Sequence, residues 1–339
     1  MRIALDAMGG DHAPGPIVAG AVQAVAAEPE LTVVLVGDQH QVEALLPAGA
    51  DRRRLELFPC SQAVGMAEKP VEALRRKPDS SIKRCWELLA ARKVDGIVSA
   101  GNTGAMVAGG HFLKRFLKHV HRPGIAAVLP SEHGPCVLLD VGANMSAKPE
   151  HLFQYGVMGS IYARHILQVA RPTIGLLNVG EEEAKGTELA RETHALFHNS
   201  PLRERFVGNV EGRDIHTGAA DVVVCDGFVG NVVLKYSEGV LEFLMKMVHQ
   251  ELLAPLEVER DRAELAWRSL AARYDYSTYG GAPLLGIDGA CIICHGSSGD
   301  RAIKNALSVA ARYARANLND IIVQELESLP PPSAHEAKA

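Results

Sequence analysis

Six short stretches of this sequence set small residues beside polar ones at the end of an apolar run. They are Asp6 to Asp11, Gly101 to Gly104, Gly142 to Asn144, Asn178 to Gly186, Asp226 to Asn231 and His295 to Gly299. The richest lies inside Ile174–Leu189, where Asn178, Gly180, three glutamates, Lys185 and Gly186 follow a strand-length apolar run behind Pro172. Glycine lets backbone N–H groups approach a ligand closely. The start of a helix adds unpaired N–H donors and partial positive charge. Asn, Ser and Thr contribute neutral donors to an oxygen-rich group. One such turn is an ordinary turn former. Six in one chain point to a shared crevice for an anion of phosphate type.

The residues offered to that anion are Asp6, Gly9, Gly10, Asn102, Thr103, Asn144, Asn178, Asp226, Gly227, Ser297 and Ser298, with Lys185, Asn231 and His295 as the candidates for chemistry. Lys185 is read as standing in the first turn of a helix running to about Asn199, a poor place for a cation unless it has an anion to meet. Glu181–Glu183 suit a helix start electrostatically. Asp226 reads equally as a helix cap, and His295 equally as a hydrogen-bonded structural histidine.

Familiar machinery is missing. Gly9-Gly10-Asp11 after the first strand is not the Gly-x-Gly-x-x-Gly of a dinucleotide site. Gly180 to Thr187 resembles a P-loop only until Lys185 and Gly186, which stand in reversed order. No Gly-x-Ser-x-Gly supplies a serine nucleophile, and no His, Cys or carboxylate spacing signals a metal. Cys291 and Cys294 have no second pair at zinc spacing, and an offset of three puts them on opposite faces of a strand. The six cysteines are expected to be reduced and buried. Neither cofactor nor metal is expected.

These turns need a scaffold, and the surrounding sequence alternates strand with helix. Strands are predicted at Ile3–Ala7, Leu31–Val36, Leu55–Phe58, Gly96–Ser99, Val137–Val141, Val222–Cys225 and Ala290–Cys294. Helices are predicted at Gly15–Ala27, Ser81–Arg92, Pro149–Val169, Val232–Ala254, Arg260–Arg273 and from the last strand to about Ala316, with a polar loop at Gly65–Ser81. This order predicts an α/β fold with a mainly parallel, doubly wound sheet covered on both faces. The six exits should then face one cleft at the carboxyl ends of the strands. One catalytic unit over residues 1–329 is expected, its second half an intertwined lobe beginning near 146–149, with residues 330–339 as a disordered tail.

The 339 residues are 47% hydrophobic and 22% charged, ample for a sizeable core. A formal net charge of −5 argues against broad nucleic-acid binding. Met1 leads straight into a strand and no run of about 20 apolar residues follows anywhere, so a cytoplasmic protein without signal peptide or membrane span is expected.

The same residues resemble a family. Asp6-Ala-Met-Gly-Gly-Asp-His-Ala-Pro14, Ala100-Gly-Asn-Thr-Gly-Ala105, Asn178-Val-Gly-Glu-Glu-Glu-Ala-Lys-Gly186, Cys225-Asp-Gly-Phe-Val-Gly-Asn231 and His295-Gly-Ser-Ser298 are together similar to the phosphate acyltransferases of bacterial phospholipid synthesis, the PlsX family. Met66-Ala-Glu-Lys-Pro70, Arg75-Arg-Lys-Pro-Asp-Ser-Ser81 and Tyr279-Gly-Gly-Ala282 agree with it, and the match runs in order from residue 1 to about 316.

The resemblance implies transfer of a fatty acyl group from acyl carrier protein to inorganic phosphate, giving acyl phosphate. It also implies a fold like isocitrate and isopropylmalate dehydrogenases and phosphotransacetylase, a homodimer, no metal or nucleotide, and peripheral membrane association. The membrane contact it suggests is the break at Pro255, with Leu252, Leu253, Leu256 and Val258. Acyl carrier protein is acidic, and Arg52–Arg54, Arg75–Lys77 and Lys114–Arg122 are the basic runs able to receive it. Two other readings stay open: a phosphotransacylase using coenzyme A thioesters, and a non-catalytic scaffold that binds phosphate or acyl groups.

Overall fold

The computed structural model describes residues 1–253, 258–274 and 279–329. The expected tail at 330–339 lies outside these, as do Pro255 and Leu256. Among the described residues eleven strands form the sheet: β1 (Arg2–Asp6), β2 (Thr32–Gly37), β3 (Leu55–Pro59), β4 (Gly96–Ser99), β5 (Gly124–Ser131), β6 (Gly134–Leu139), β7 (Ile174–Leu177), β8 (Phe206–Val210), β9 (Val222–Val224), β10 (Ala282–Leu285) and β11 (Ala290–Ile293). Their order is β3-β2-β1-β4-β11-β10-β5-β6-β9-β7-β8.

Side chains alternate between two cores. Ile3, Leu5, Val33 and Leu35 pack on one face, and Ala4, Val34 and Val36 on the other. Strands buried on both sides are what a sheet wound with helices on both faces requires. Cys294 joins the first core and Cys291 the second, as their spacing predicted, and all six cysteines are buried and unpaired.

Two parallel groups make up the sheet. β3, β2, β1, β4 and β11 run one way, and β6, β9, β7 and β8 are parallel to one another. Between them stand β10 and β5, and the pairs β11–β10, β10–β5 and β5–β6 are all antiparallel. Three reversals leave the second group running against the first. Counted outward from the β10–β5 junction, β11, β4 and β1 answer to β6, β9 and β7.

The sheet is mainly parallel and doubly wound, as predicted, but three of its strands were not legible. β5 contains Pro130, β10 has only four residues and contains Pro283, and β8 reads Phe-Val-Gly-Asn-Val with Gly208 at positive φ. The loop predicted at 65–81 contains the helix Pro70–Arg76. The helices Gln39–Leu45, Thr103–Phe112 and Leu318–Ser328 were also not anticipated. The helix predicted from Val232 begins at Gly227 and ends at Val248.

Candidate active site

The exits of β1, β4 and β11 close on one another. Asp6 is buried at the end of β1, where it accepts from the Ser99 hydroxyl at 2.7 Å and the Met8 N–H at 3.2 Å. Ser99 Oγ accepts in turn from the Gly101 N–H at 3.0 Å. Burial pushes the Asp6 carboxyl up, against the pull of these donors. Gly10, at φ +117°, lets the turn pass beneath Gly296, whose carbonyl accepts from the Asp11 N–H at 2.8 Å.

Asn102 caps the helix Thr103–Phe112 by accepting from the Ala105 N–H. Its amide donates to the carbonyls of Gly65, Met66 and Glu68 at 3.3, 3.0 and 2.9 Å. Thr103 is exposed at the start of that helix, and Ser298, after β11, is buried. His295 is exposed at the end of β11, and its Nδ1 lies 2.7 Å from Ser297 Oγ and 3.3 Å from the Ser297 N–H. An acceptor Nδ1 places the proton of the neutral ring on Nε2.

β6, β9 and β7 form the second group. Asp140, directly after β6, is fully buried and gathers the N–H groups of Gly142, Ala143 and Asn144 at 3.1, 2.9 and 2.7 Å. The Asn144 amide is held by the Pro123 carbonyl and the Tyr155 hydroxyl at 2.6 and 2.8 Å. These donors therefore point inward.

The helix after β9 is equally committed at its start. Gly227 N–H donates to the Asn144 carbonyl at 2.9 Å and Gly230 N–H to the Asp226 carbonyl at 3.0 Å. Phe228 and Val229 donate to the Asp226 carboxylate at 2.9 and 3.0 Å. The three orphan N–H donors at 227–229 are thus satisfied, and Gly230 makes the first intrahelical bond. Asp226 is thus a cap, and Gly227 serves close packing, since a Cβ there would meet the Asn144 carbonyl and the Asp140 carboxylate. Asn231 follows in the same helix, half-buried beside Gly142. Its amide makes no hydrogen bond among the described residues.

The turn after β7 differs from expectation. Its helix starts at Glu188, capped by Thr187, which accepts from the Ala190 N–H. Lys185 therefore stands in the preceding loop and not in a first turn. Asn178 braces that loop: its oxygen accepts from the Val179 N–H at 2.9 Å and its amide donates to the Lys185 carbonyl at 3.1 Å. Gly186, at φ +86°, lies flat against Asn178, and any Cβ there would collide with the amide oxygen. The stem of Lys185 passes over Gly180. Its amino group is exposed and has no ion-pair partner among the described residues.

The exits thus fall into two groups of three, at the ends of strands that run in opposite directions. Asp6, Gly9, Gly10, Asn102, Thr103, His295, Ser297 and Ser298 belong to one; Asn144, Asn178, Lys185, Asp226, Gly227 and Asn231 belong to the other. The prediction of a single cleft assumed six strands pointing the same way, and the antiparallel β5 and β10 reverse half of them. No hydrogen bond among the described residues joins the two groups. Sequence reasoning passed over Asp140, and a buried-strand aspartate followed by Val-Gly-Ala-Asn was the available signal. No cluster of three or more His, Cys, Asp or Glu among the described residues is arranged to hold a metal ion.

Away from these turns, much of the predicted basic surface is paired. Arg54 bonds Asp51, Lys77 bonds Glu68, Arg115 bonds Asp288 and Lys118 bonds Glu327. Arg52, Arg53, Lys114 and Arg122 stay exposed, and Arg75 lies over the Phe112 ring at 5.8 Å. Of the proposed membrane contacts, Leu253 is half-buried at the end of a π-helical turn and Val258 is 79% exposed. Leu256 and the side chain of Leu252 lie outside the description. Among the described residues no helix is long and apolar enough to cross a membrane.

The fold is shared with solved phosphotransacetylases. A phosphotransacetylase from Streptococcus pyogenes superposes with a TM-score of 0.61 at 15% identity, covering 93% of this chain and 94% of that one. The EutD phosphotransacetylase of Staphylococcus aureus gives 0.59 at 15% identity over the same shares. At that identity the likeness concerns architecture.

The sequence relatives are more specific. The family described as "Fatty acid synthesis protein" matches residues 1–321. The phosphate acyltransferase of Heliobacterium modesticaldum is 49% identical over 94% of this chain and 95% of its own, and that of Geobacter sulfurreducens 44% identical over 97% and 95%. The chain belongs to the phosphate acyltransferase (PlsX) family and is an acyltransferase of lipid synthesis.

Proposed function

We propose that this enzyme transfers a fatty acyl group from the thioester of acyl carrier protein to inorganic phosphate, releasing acyl phosphate for phospholipid synthesis. One observation carries the assignment of the site. In the β6–β9–β7 group, Asn144, Asn178 and Asp226 all spend their side chains on their own turns. Lys185 and Asn231 alone of the sequence-selected side chains there are left without a described partner, and they follow neighbouring strands. A cation and a neutral donor kept unspent on a rigid frame suit a phosphate dianion and the oxyanion it generates.

Phosphate already carries a nucleophilic oxygen, so positioning matters more than a strong base. That oxygen attacks the thioester carbon, and the carbonyl oxygen becomes the tetrahedral oxyanion. Lys185 and Asn231 stabilise the charge on phosphate and oxyanion, and a preorganised donor of this kind is worth about 3 kcal/mol of barrier. Collapse expels the thiolate, whose conjugate thiol has a pKa of about 8.5 by analogy with cysteine and needs little help in leaving. Asp6, Gly9, Gly10, Asn102, Thr103, Ser297 and Ser298 shape the opposite group of turns. His295 stands there with its Nδ1 against Ser297, and is the group proposed to protonate the departing thiolate.

The donor is the carrier protein, which the exposed Arg52, Arg53, Arg75, Lys114 and Arg122 attract by charge. A second copy of the chain covers the helix Gly227–Val248, whose Phe228, Tyr236 and Phe243 are 62, 73 and 63% exposed and form an apolar face too broad for solvent. The segment around Leu252, Leu253, Leu256 and Val258 rests on the membrane surface. Incubating palmitoyl-acyl carrier protein and, separately, palmitoyl-coenzyme A with phosphate tests the reaction. Acyl phosphate formed from the first supports the reading; formation only from the second makes the enzyme a coenzyme A phosphotransacylase, and formation from neither leaves a binding scaffold.

A further inference from the structure

Asp140 contributes to the site from underneath it. Its Oδ1 accepts from the N–H groups of Ile125, Gly142 and Ala143 at 2.9, 3.1 and 2.9 Å. Its Oδ2 accepts from the N–H and the side-chain amide of Asn144 at 2.7 and 3.3 Å. Every group bonded to this carboxylate is a donor, an arrangement only the ionised form satisfies fully.

The same residue seats the helix that carries Asn231. A Cβ at Gly230 would collide with the Asp140 carbonyl, and one at Gly227 would lie 2.8 Å from Asp140 Oδ2. Asn144, itself held by Asp140, accepts from the Gly227 N–H at 2.9 Å. Gly142, whose N–H Asp140 also holds, is the neighbour of the Asn231 side chain. Both walls around Asn231, the helix beneath it and the loop beside it, are thus fixed to one buried carboxylate.

We propose that Asp140 is a positioning residue for the acyl transfer, setting where the Asn231 amide stands relative to Lys185. This rests on the reading of Asn231 as a donor to the reacting anion. The Asn144 amide and the Tyr155 hydroxyl complete the frame by anchoring it to Pro123 and to the helix Pro149–His165. In Asp140→Asn, one acceptor oxygen becomes an NH2 that faces N–H donors whichever way the amide turns.

A double-mutant cycle separates positioning from mere stability, because coupled residues depart from additivity. Turnover of palmitoyl-acyl carrier protein with phosphate is measured for the full chain, Asp140→Asn, Asn231→Ala and the double variant, each checked for folding by circular dichroism. Asp140→Asn is expected to lower kcat about tenfold in the native background and less than twofold in the Asn231→Ala background. Should Asp140→Asn fail to fold, Tyr155→Phe loosens the same frame, with about a threefold fall expected in the native background and none in Asn231→Ala. Equal falls in both backgrounds, or a folded Asp140→Asn enzyme of native turnover, overturn the proposal while leaving Asn231 in place. An Asn231→Ala enzyme of native turnover overturns the site reading and this proposal with it.

Discussion

The side-chain amide of Asn178 holds the backbone carbonyl of Lys185 at 3.1 Å, across a turn that only glycine at 186 allows. Asn178 sets the path of the loop and leaves the lysine side chain free. Asn178→Ala should therefore lower turnover about tenfold through looser placement of Lys185, and the melting temperature should change little. Gly186→Ala combines a left-handed backbone at φ +86° with a collision against Asn178. It should lower turnover at least as far and cost about 1–3 kcal/mol of stability. Steady-state kinetics with thermal melts checks both, and native turnover in Gly186→Ala would show that the loop geometry is idle.

No cysteine takes the acyl group in this account. Burial pushes the Cys60 thiol up to about 11 and the Cys136 thiol up to about 12, so at pH 8 both are protonated and shielded. Iodoacetamide at pH 8 should leave the native enzyme unlabelled and fully active. Stoichiometric labelling with loss of turnover would point instead to an acyl-cysteine intermediate.

How much of this was readable beforehand differs between the scaffold and the site. Alternating strands such as Ile3-Ala-Leu and Val33-Val-Leu announced a sheet buried on both faces, and the structure has one. β5 and β10 stayed hidden because both contain proline and β10 has only four residues. Their loss cost the most, since they reverse the second group of strands and divide the six turns. Asn after a strand reads as a ligand donor and Asp226 equally as a ligand residue or a cap, yet Asn102, Asn144, Asn178 and Asp226 cap and brace their own turns. A sequence shows that a side chain is able to donate; only coordinates show whether that bond is already spent.

The carrier protein is expected to dock through exposed cations. Attraction between surface charges fades beyond a Debye length, about 10 Å at 0.1 M salt. The KM for palmitoyl-acyl carrier protein should rise several-fold between 50 and 300 mM salt, on the order of other steered encounters, while kcat holds. A double variant, Arg75→Ala with Arg122→Ala, should flatten that dependence. A KM that ignores salt would remove the electrostatic docking surface.

Membrane association gives a separate expectation. Acidic replacements at Leu253 and Leu256 should release the enzyme from anionic lipid vesicles while turnover in solution persists, because apolar burial in the interface drives such binding. Unchanged sedimentation with vesicles would leave that segment to a contact between copies.

Lys185 is proposed to meet the reacting anion, and turnover of Lys185→Ala measures that contact. Lys185 is exposed in a loop braced through its backbone, so the variant should fold with a native circular dichroism spectrum. Losing a charge that acts in the transition state lowers kcat more than it weakens ground-state binding. A fall in kcat of at least about two orders of magnitude is expected, the scale of a lost oxyanion donor. A folded Lys185→Ala enzyme with near-native turnover and unchanged dependence on phosphate would contradict it.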